Sequence, residues 1–465
     1  MRPLQLSWIA QVTGGCLQGL DVTVDVVAID TRALPQAGRP LFVALKGEQF
    51  DGHDHLAQAA DGGCVAALVA QPCAVALPQV VVADAGRALA ALAAAVQRER
   101  STKVLAVTGS NGKTTVKTLL LSILSQSGGA YANPGNRNNE IGLPLAVLDA
   151  PEDARFAVYE MGAGKPGDIA YLTAIARPDV ALVNNIAPAH LERMGSLKGV
   201  ADTKGAIYAA LPADGVAVVN VDDAFALYFL EQAGTRRTLR FGIDVHADIT
   251  ATQIHADIDG SSFILVTPQG TVPVRLPLPG RHNVRNALAA ASMALAVGAS
   301  PEQLRAGLEA VAGVAGRLDR HRLHDGALLI DDSYNANPGS LAAAIDTLAD
   351  GKAEAWLVLG DMRELGVDEA ALHAEAGSRA KRAGITRLYT LGALSAHAAQ
   401  AFADGARQFT THAALTEALQ DDLQQRPQAD VVVLVKGSRG SAMDVVVKAL
   451  LQRDAARGEE NTGAA

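Results

Sequence analysis

The residues best suited to chemistry meet at one junction, where the apolar run VLAVTG (104–109) passes into Ser110-Asn111-Gly112-Lys113-Thr114-Thr115 and then into the helical segment VKTLLLSIL. A glycine turn that opens a helix presents unpaired N–H groups and the positive end of the helix dipole, which together cradle an anion. Lys113 is then set to reach the β- and γ-phosphates of a nucleoside triphosphate, and the Thr114 hydroxyl to bind Mg²⁺. Gly109, Ser110, Asn111, Gly112 and Thr115 complete the loop. Its spacing is shorter than the general phosphate loop, because Val107 stands where that motif has its first glycine. A plain turn carrying a lysine is the alternative, but it does not require strand, turn, Gly-Lys-Thr and helix in this order.

Two further positions lie where an open α/β sheet gathers its ligands, outside the carboxyl ends of the strands. Glu160 ends the strand in VYEMGAG, and His190 follows the next strand in NNIAPAHLE, with Glu192 two residues on. A carboxylate and a neutral imidazole beside a phosphate cradle can bind divalent ions that bridge the nucleotide and a second reactant. The plain readings are a surface carboxylate for Glu160 and a hydrogen-bonded loop residue for His190. Lys198 and Lys204 follow in SLKGVADTKGAIYAAL, where a solvated helix face is the usual fate of lysine; spacing selects neither.

The elements that must position these groups read as three α/β units. Residues 22–31, 40–45, 65–70 and 79–84 predict short buried strands, closed by an alanine-rich helix near 85–99, and the polar stretch RERSTK (98–103) marks a boundary. Strands at 104–109, 156–162, 180–186 and 216–221 alternate with helices, which predicts a parallel sheet with crossover helices. The stretch 246–278 alternates in short β-like runs and predicts an antiparallel extension. A helix near 283–297 and another opening at Ser300-Pro301 lead to a second boundary near 312–317. Strands at 327–333, 355–362, 387–392 and 431–438 then predict a third alternating block. The domains are therefore expected at 1–100, 101–314 and 315–465, with a frayed polar tail ARGEENTGAA.

Composition narrows the function. With 40 Lys and Arg against 49 Asp and Glu, the formal charge of −9 offers no long-range attraction to a nucleic-acid backbone or an anionic membrane. No apolar run approaches the ~18 residues that would span a bilayer, and the N-terminus has no secretory pattern, so a cytoplasmic protein is expected. Cys16, Cys64 and Cys73 form no C-x-x-C pair and are expected as buried thiols.

Taken together, the stretches TGSNGKTT (108–115), GNRNNEIGLP (135–144), EMGA (160–163), AHLERMGS (189–196), GRHNVRNALAA (280–290), DDSYNANPGS (331–340), GDMRELG (360–366) and VKGSRG (435–440) resemble the Mur ligases over nearly the whole chain. The resemblance implies a UDP-sugar-binding domain, a central ATPase and a Rossmann-like C-terminal domain. It also implies a cytoplasmic, monomeric ligase of peptidoglycan synthesis, and hence of cell-wall biogenesis, cell shape and cell division. DDSYNANP and GDMRELG are similar to the branch that adds D-alanyl-D-alanine to UDP-N-acetylmuramoyl-tripeptide through an acyl phosphate. The D-N-P-R motif usual in the diaminopimelate- and lysine-adding relatives is not in this chain.

The same resemblance implies residue roles. Lys204 resembles the family lysine that is carbamylated, and with His190 it would hold a second Mg²⁺, while Thr114 and Glu160 hold the first. Asn283 resembles an adenine contact; Arg317 and Asp332 resemble residues that close over ATP. Asp30-Thr31-Arg32 resembles a uridine-binding D-S-R, with Thr31 keeping the hydroxyl, and Lys46 lies in the region near the sugar nucleotide. Asn138 and Asn139 are expected to face the reacting acyl group. Asn335 and Asn337 are expected as dipeptide or nucleotide contacts or, equally, as turn formers before Pro338. The alternatives are another Mur-type or folylpolyglutamate-synthetase-like ligase, and a non-enzymatic nucleotide-gated regulator that would hydrolyse slowly without an amine acceptor.

Overall fold

A computed structural model describes residues 1–188, 191–349, 351, 353–426 and 430–462. Short aliphatic runs between polar turns give the N-terminal part a five-stranded sheet, in the order Cys16–Gln18, Gln79–Val81, Ala66–Val69, Pro40–Val43, Val26–Ala28. Only the first pair is antiparallel. The single strand expected over 22–31 is divided. Thr23–Val24 pairs with Leu4–Gln5, Val26–Ala28 joins the main sheet, and Asp30 ends the run by accepting the Arg32 N–H and capping a 3-10 turn. The helix Ala85–Glu99, capped by Asp84, buries Leu89, Leu92 and Val96 on one face and leads into the middle sheet.

Six parallel strands form that sheet, in the order Arg237–Phe241, Val216–Asn220, Val180–Val183, Lys103–Thr108, Phe156–Glu160, Ala130–Ala132. Residues of Lys103–Thr108 alternate between two cores. Val104 and Ala106 face one, and Leu105 and Val107 the other, as a parallel strand covered on both sides requires. The chain leaves this strand to build one side of the sheet and then crosses to the other, so the switch-point crevice opens at its carboxyl end, directly above Gly109. The helices Lys113–Ser125 and Arg281–Ala296 cover the second face. The 246–278 stretch forms the expected antiparallel extension, three strands from Thr250–Asp257 to Gly270–Leu276.

The third sheet runs Asp319–Arg322, Leu328–Asp332, Val431–Lys436, Glu354–Gly360, Arg387–Leu391, Ala406–Phe409, parallel except for its first pair. Its strand ends bring Asp332 and Lys436 to the middle sheet's crevice. The tail differs from expectation: the helix Asp444–Thr462 continues through most of it, and residues 463–465 lie outside the described residues.

Candidate active site

The phosphate loop is held open from behind by the next strand end. Ser110 N donates to Asn185 O and Asn111 N to Asn185 Oδ1, each at 2.9 Å, while Ser110 Oγ donates to Ala187 O at 3.0 Å. Gly112 has φ +78° and caps the helix Lys113–Ser125; a Cβ there would run into Asn286 Oδ1 and Asn184 Nδ2. Asn283, Asn286 and Asn184 form a buried amide chain, with bonds of 3.0 Å between neighbours, that ends on the Asn111 carbonyl at 2.9 Å. Lys113 folds back so that its Nζ donates to Gly109 O at 2.8 Å. Its enclosure in the protein pushes its ammonium below the ordinary lysine range, against the pull of Glu160.

Glu160 is the hub. Only 3% exposed, it accepts from Thr114 Oγ1 at 2.8 Å and from Asn138 Nδ2 at 2.9 Å, and its Oε2 lies 3.5 Å from Lys117 Nζ. Burial alone would raise its pKa, but Lys113, Lys117 and these hydrogen bonds outweigh that and hold it below the usual carboxylate range. The chemistry of this set fits Mg²⁺. Both donors are hard oxygens, and 2.8 Å is close to the separation of adjacent ligands in an octahedron with bonds of about 2.0–2.1 Å.

The third sheet supplies the opposite wall. Arg317 lies over the Tyr334 ring at 4.4 Å and donates to Thr114 Oγ1 at 2.9 Å. Asn337 Nδ2 donates to Asn111 Oδ1 at 2.7 Å, while its own Oδ1 accepts Ser340 N at 2.9 Å and so caps the following helix. Asn337 thus forms the turn and also touches the loop. Asp332 is paired with Lys436, whose Nζ also donates to Asn335 O at 3.0 Å; burial pushes the Asp332 carboxyl upward despite that partner. Between the walls lies a cleft of about 770 Å³, lined among others by Ser110, Lys113, Thr115, Asn139, Asn283 and Arg317.

Lys204 is 2% exposed, and among the described residues no group hydrogen-bonds its Nζ. Burial, then the neighbouring Lys113 charge, push its pKa well below the ordinary value, with Asp168 opposing. His190 lies outside the described residues. Thr31, Arg32 and Lys46 are not among the residues lining the cleft. Thr31 Oγ1 donates to Gln58 Oε1 at 2.9 Å, and Arg32 and Lys46 pair with Asp30 and Asp51 on the first unit's surface.

Sequence reasoning passed over Lys117, Asn133, Asn184, Asn286 and Lys436. Lys117 had a readable signal, since it stands four residues after Lys113 and so shares its helix face. Asn286 stands three after Asn283, and Lys436 ends an apolar strand. Asn133 had none: its amide grips the Glu160 backbone in both directions, at 2.9 and 3.3 Å, across 27 residues of chain.

The family described as "Mur ligase middle domain" matches residues 107–294, and "Mur ligase, glutamate ligase domain" matches residues 316–439. The UDP-N-acetylmuramoyl-tripeptide–D-alanyl-D-alanine ligase of Escherichia coli (strain K12) is 45% identical over 97% of this chain and 99% of its own. The crystal structure of MurF from Acinetobacter baumannii superposes with a TM-score of 0.92 at 35% identity, covering 97% of this chain and 99% of that one. MurF ligase from Thermotoga maritima in complex with ADP gives 0.82 at 27% identity, covering 92% and 99%.

Proposed function

The chain belongs to the Mur ligase family, and from that premise we propose that it joins D-alanyl-D-alanine to UDP-N-acetylmuramoyl-tripeptide with conversion of ATP to ADP and phosphate. The observation that carries this reading is the convergence of Lys113, Thr114, Glu160, Asn138 and Arg317, drawn from two units, on one cleft at the switch point of a parallel sheet.

A free carboxylate is a poor electrophile, so the terminal carboxylate of the tripeptide first attacks the γ-phosphorus of ATP, giving an acyl phosphate and ADP. The unprotonated amine of D-alanyl-D-alanine then adds to the acyl carbon; phosphate leaves, the amide forms, and a proton is lost. Lys113 offers positive charge where negative charge builds on the phosphoryl oxygens, and Arg317 approaches from the far wall. Asn138, fixed by its bond to Glu160, borders the same space and orients the acyl group. Magnesium bound by Thr114 and Glu160, with a second ion on His190 and a carbamylated Lys204, would offset the repulsion between the two reacting anions.

Lys204 suits that modification because its enclosure favours the neutral amine, the form that adds CO₂ with loss of a proton. Asn283, Arg317 and Asp332 are assigned to ATP; Asn139 to the acyl group; Asn335 and Asn337 to the dipeptide or the nucleotide; Thr31, Arg32 and Lys46 to the UDP portion. Closing the third unit over the cleft excludes water from the acyl phosphate. The reading also assigns a monomer working in the cytoplasm; among the described residues no helix is long and apolar enough to cross a membrane.

Phosphate release measured with combinations of UDP-muramoyl-tripeptide, dipeptides and single amino acids tests the reading. Release that requires both the tripeptide and D-alanyl-D-alanine is the expected result. Release driven by glutamate instead would overturn it.

A further inference from the structure

Lys117 enters the interior from the helix Lys113–Ser125, one turn beyond Lys113, and is only 6% exposed. An ammonium carries three donors, and three acceptors surround this one: Asn133 O and Gly135 O at 2.9 Å each, and Glu160 Oε2 at 3.5 Å. The cleft lining includes Lys113 but not Lys117. Its charge therefore faces the back of the site rather than a reactant.

The loop it grips also holds Glu160 from two other directions. Asn133 binds the Glu160 backbone, and Asn138 Nδ2 donates to Oε1 at 2.9 Å. A buried ammonium is costly unless fully matched, and a methionine of similar length would fill the same volume without that cost. A side chain needed only for packing would not carry this charge.

We propose that Lys117 is a positioning residue for the ligase reaction: it clamps the 133–139 loop onto Glu160, and so aims both the metal-binding carboxylate and the Asn138 amide. The inference rests on the reading of Glu160 as a metal ligand given above. Glu160 without Lys117 keeps Thr114 and Asn138 but loses the cation that holds Oε2 and the backbone of the loop bearing Asn138.

The test uses the full chain with ADP and Mn²⁺, a hard divalent probe for the Mg²⁺ position, and follows loss of the free Mn²⁺ electron-spin signal. Lys117→Met removes charge and donors, whereas Lys117→Gln keeps two donors for the Asn133 and Gly135 carbonyls. Partners that orient a metal ligand are worth about 10–100-fold in affinity or activity. Lys117→Met should therefore weaken Mn²⁺ binding and lower kcat by about that factor, with KM for ATP within about threefold of the parent, and Lys117→Gln should recover part of both. Should Lys117→Met not fold, Lys117→Gln decides alone, by a smaller loss of the same two quantities. Parent-like Mn²⁺ affinity and kcat in a folded variant overturn the inference. Equal Mn²⁺ binding by the parent and by Glu160→Gln overturns the metal-ligand reading itself, and the inference with it.

Discussion

Arg317 donates to Thr114 Oγ1 at 2.9 Å across 203 residues of chain, and the same hydroxyl donates onward to Glu160 Oε2 at 2.8 Å. The third unit is thus tied by a guanidinium to the phosphate loop and, through one hydroxyl, to the candidate metal ligand. Arg317→Met keeps an apolar stem against Tyr334 but removes the charge and the cross-domain bond. It should lower kcat about 10²-fold, the scale of one lost donor to developing charge. Scattering should show less compaction of the variant than of the parent with an ATP analogue and the UDP-substrate. Equal compaction and equal kcat would refute the role.

Lys113 makes its hydrogen bonds to the carbonyls of its own loop, at Gly109 and Ser110, and belongs to neither core of the middle sheet. Lys113→Ala should therefore reduce phosphate release about 10²–10³-fold or more. The melting temperature should move by no more than about 2–4 °C, as expected when no core contact is lost. Full retained activity would remove Lys113 from the mechanism.

The phosphate loop, Glu160 and the antiparallel extension were readable because their signals are local: a strand, a glycine turn and a helix follow one another within a few residues. What could not be read depends on partners distant in the chain. The 22–31 segment splits because Thr23 and Val24 find Leu4 and Gln5, and no periodicity within the segment announces that pairing. Lys117 shares the helix face of Lys113, which is legible, but its acceptors Asn133 O and Gly135 O come from a loop whose fold over it is not. Asn337 had two readings, turn former or dipeptide or nucleotide contact; its side chain caps the helix after the turn and also touches Asn111 of the phosphate loop, a bond that spans 226 residues of chain. The tail's polar composition concealed a helix continued from the apolar start of Asp444–Thr462.

His373 is fully buried, and its Nε2 accepts the Met362 N–H at 2.9 Å while Nδ1 faces Glu369 O at 2.6 Å, which fixes the neutral tautomer. Burial lowers its pKa. Because the folded value lies below the unfolded one, its contribution to stability is complete above pH ~6.5 and is lost as pH falls through the lowered folded value. The loop GDMRELG should therefore loosen in acid. Amide exchange at Met362, corrected for intrinsic rate, should be faster at about pH 5 than at about pH 7; equal protection would refute the account.

The carbamate role proposed for Lys204 sets stability and function in opposition. Its folded pKa is depressed, so the stability it allows is complete above the unfolded lysine value and falls as pH drops toward the folded one, leaving a deficit at neutral pH in CO₂-free buffer. Lys204→Met fills similar volume without a group that must be deprotonated, so in CO₂-free buffer it should melt at least about 2 °C higher than the parent. The same variant should have no measurable ligation, because no amine remains to form the carbamate. In the parent, ¹³C-bicarbonate should give a carbamate resonance that the variant lacks, and removing CO₂ should lower activity reversibly. A parent without that resonance, fully active in CO₂-free buffer, would show that the unmodified amine serves the reaction.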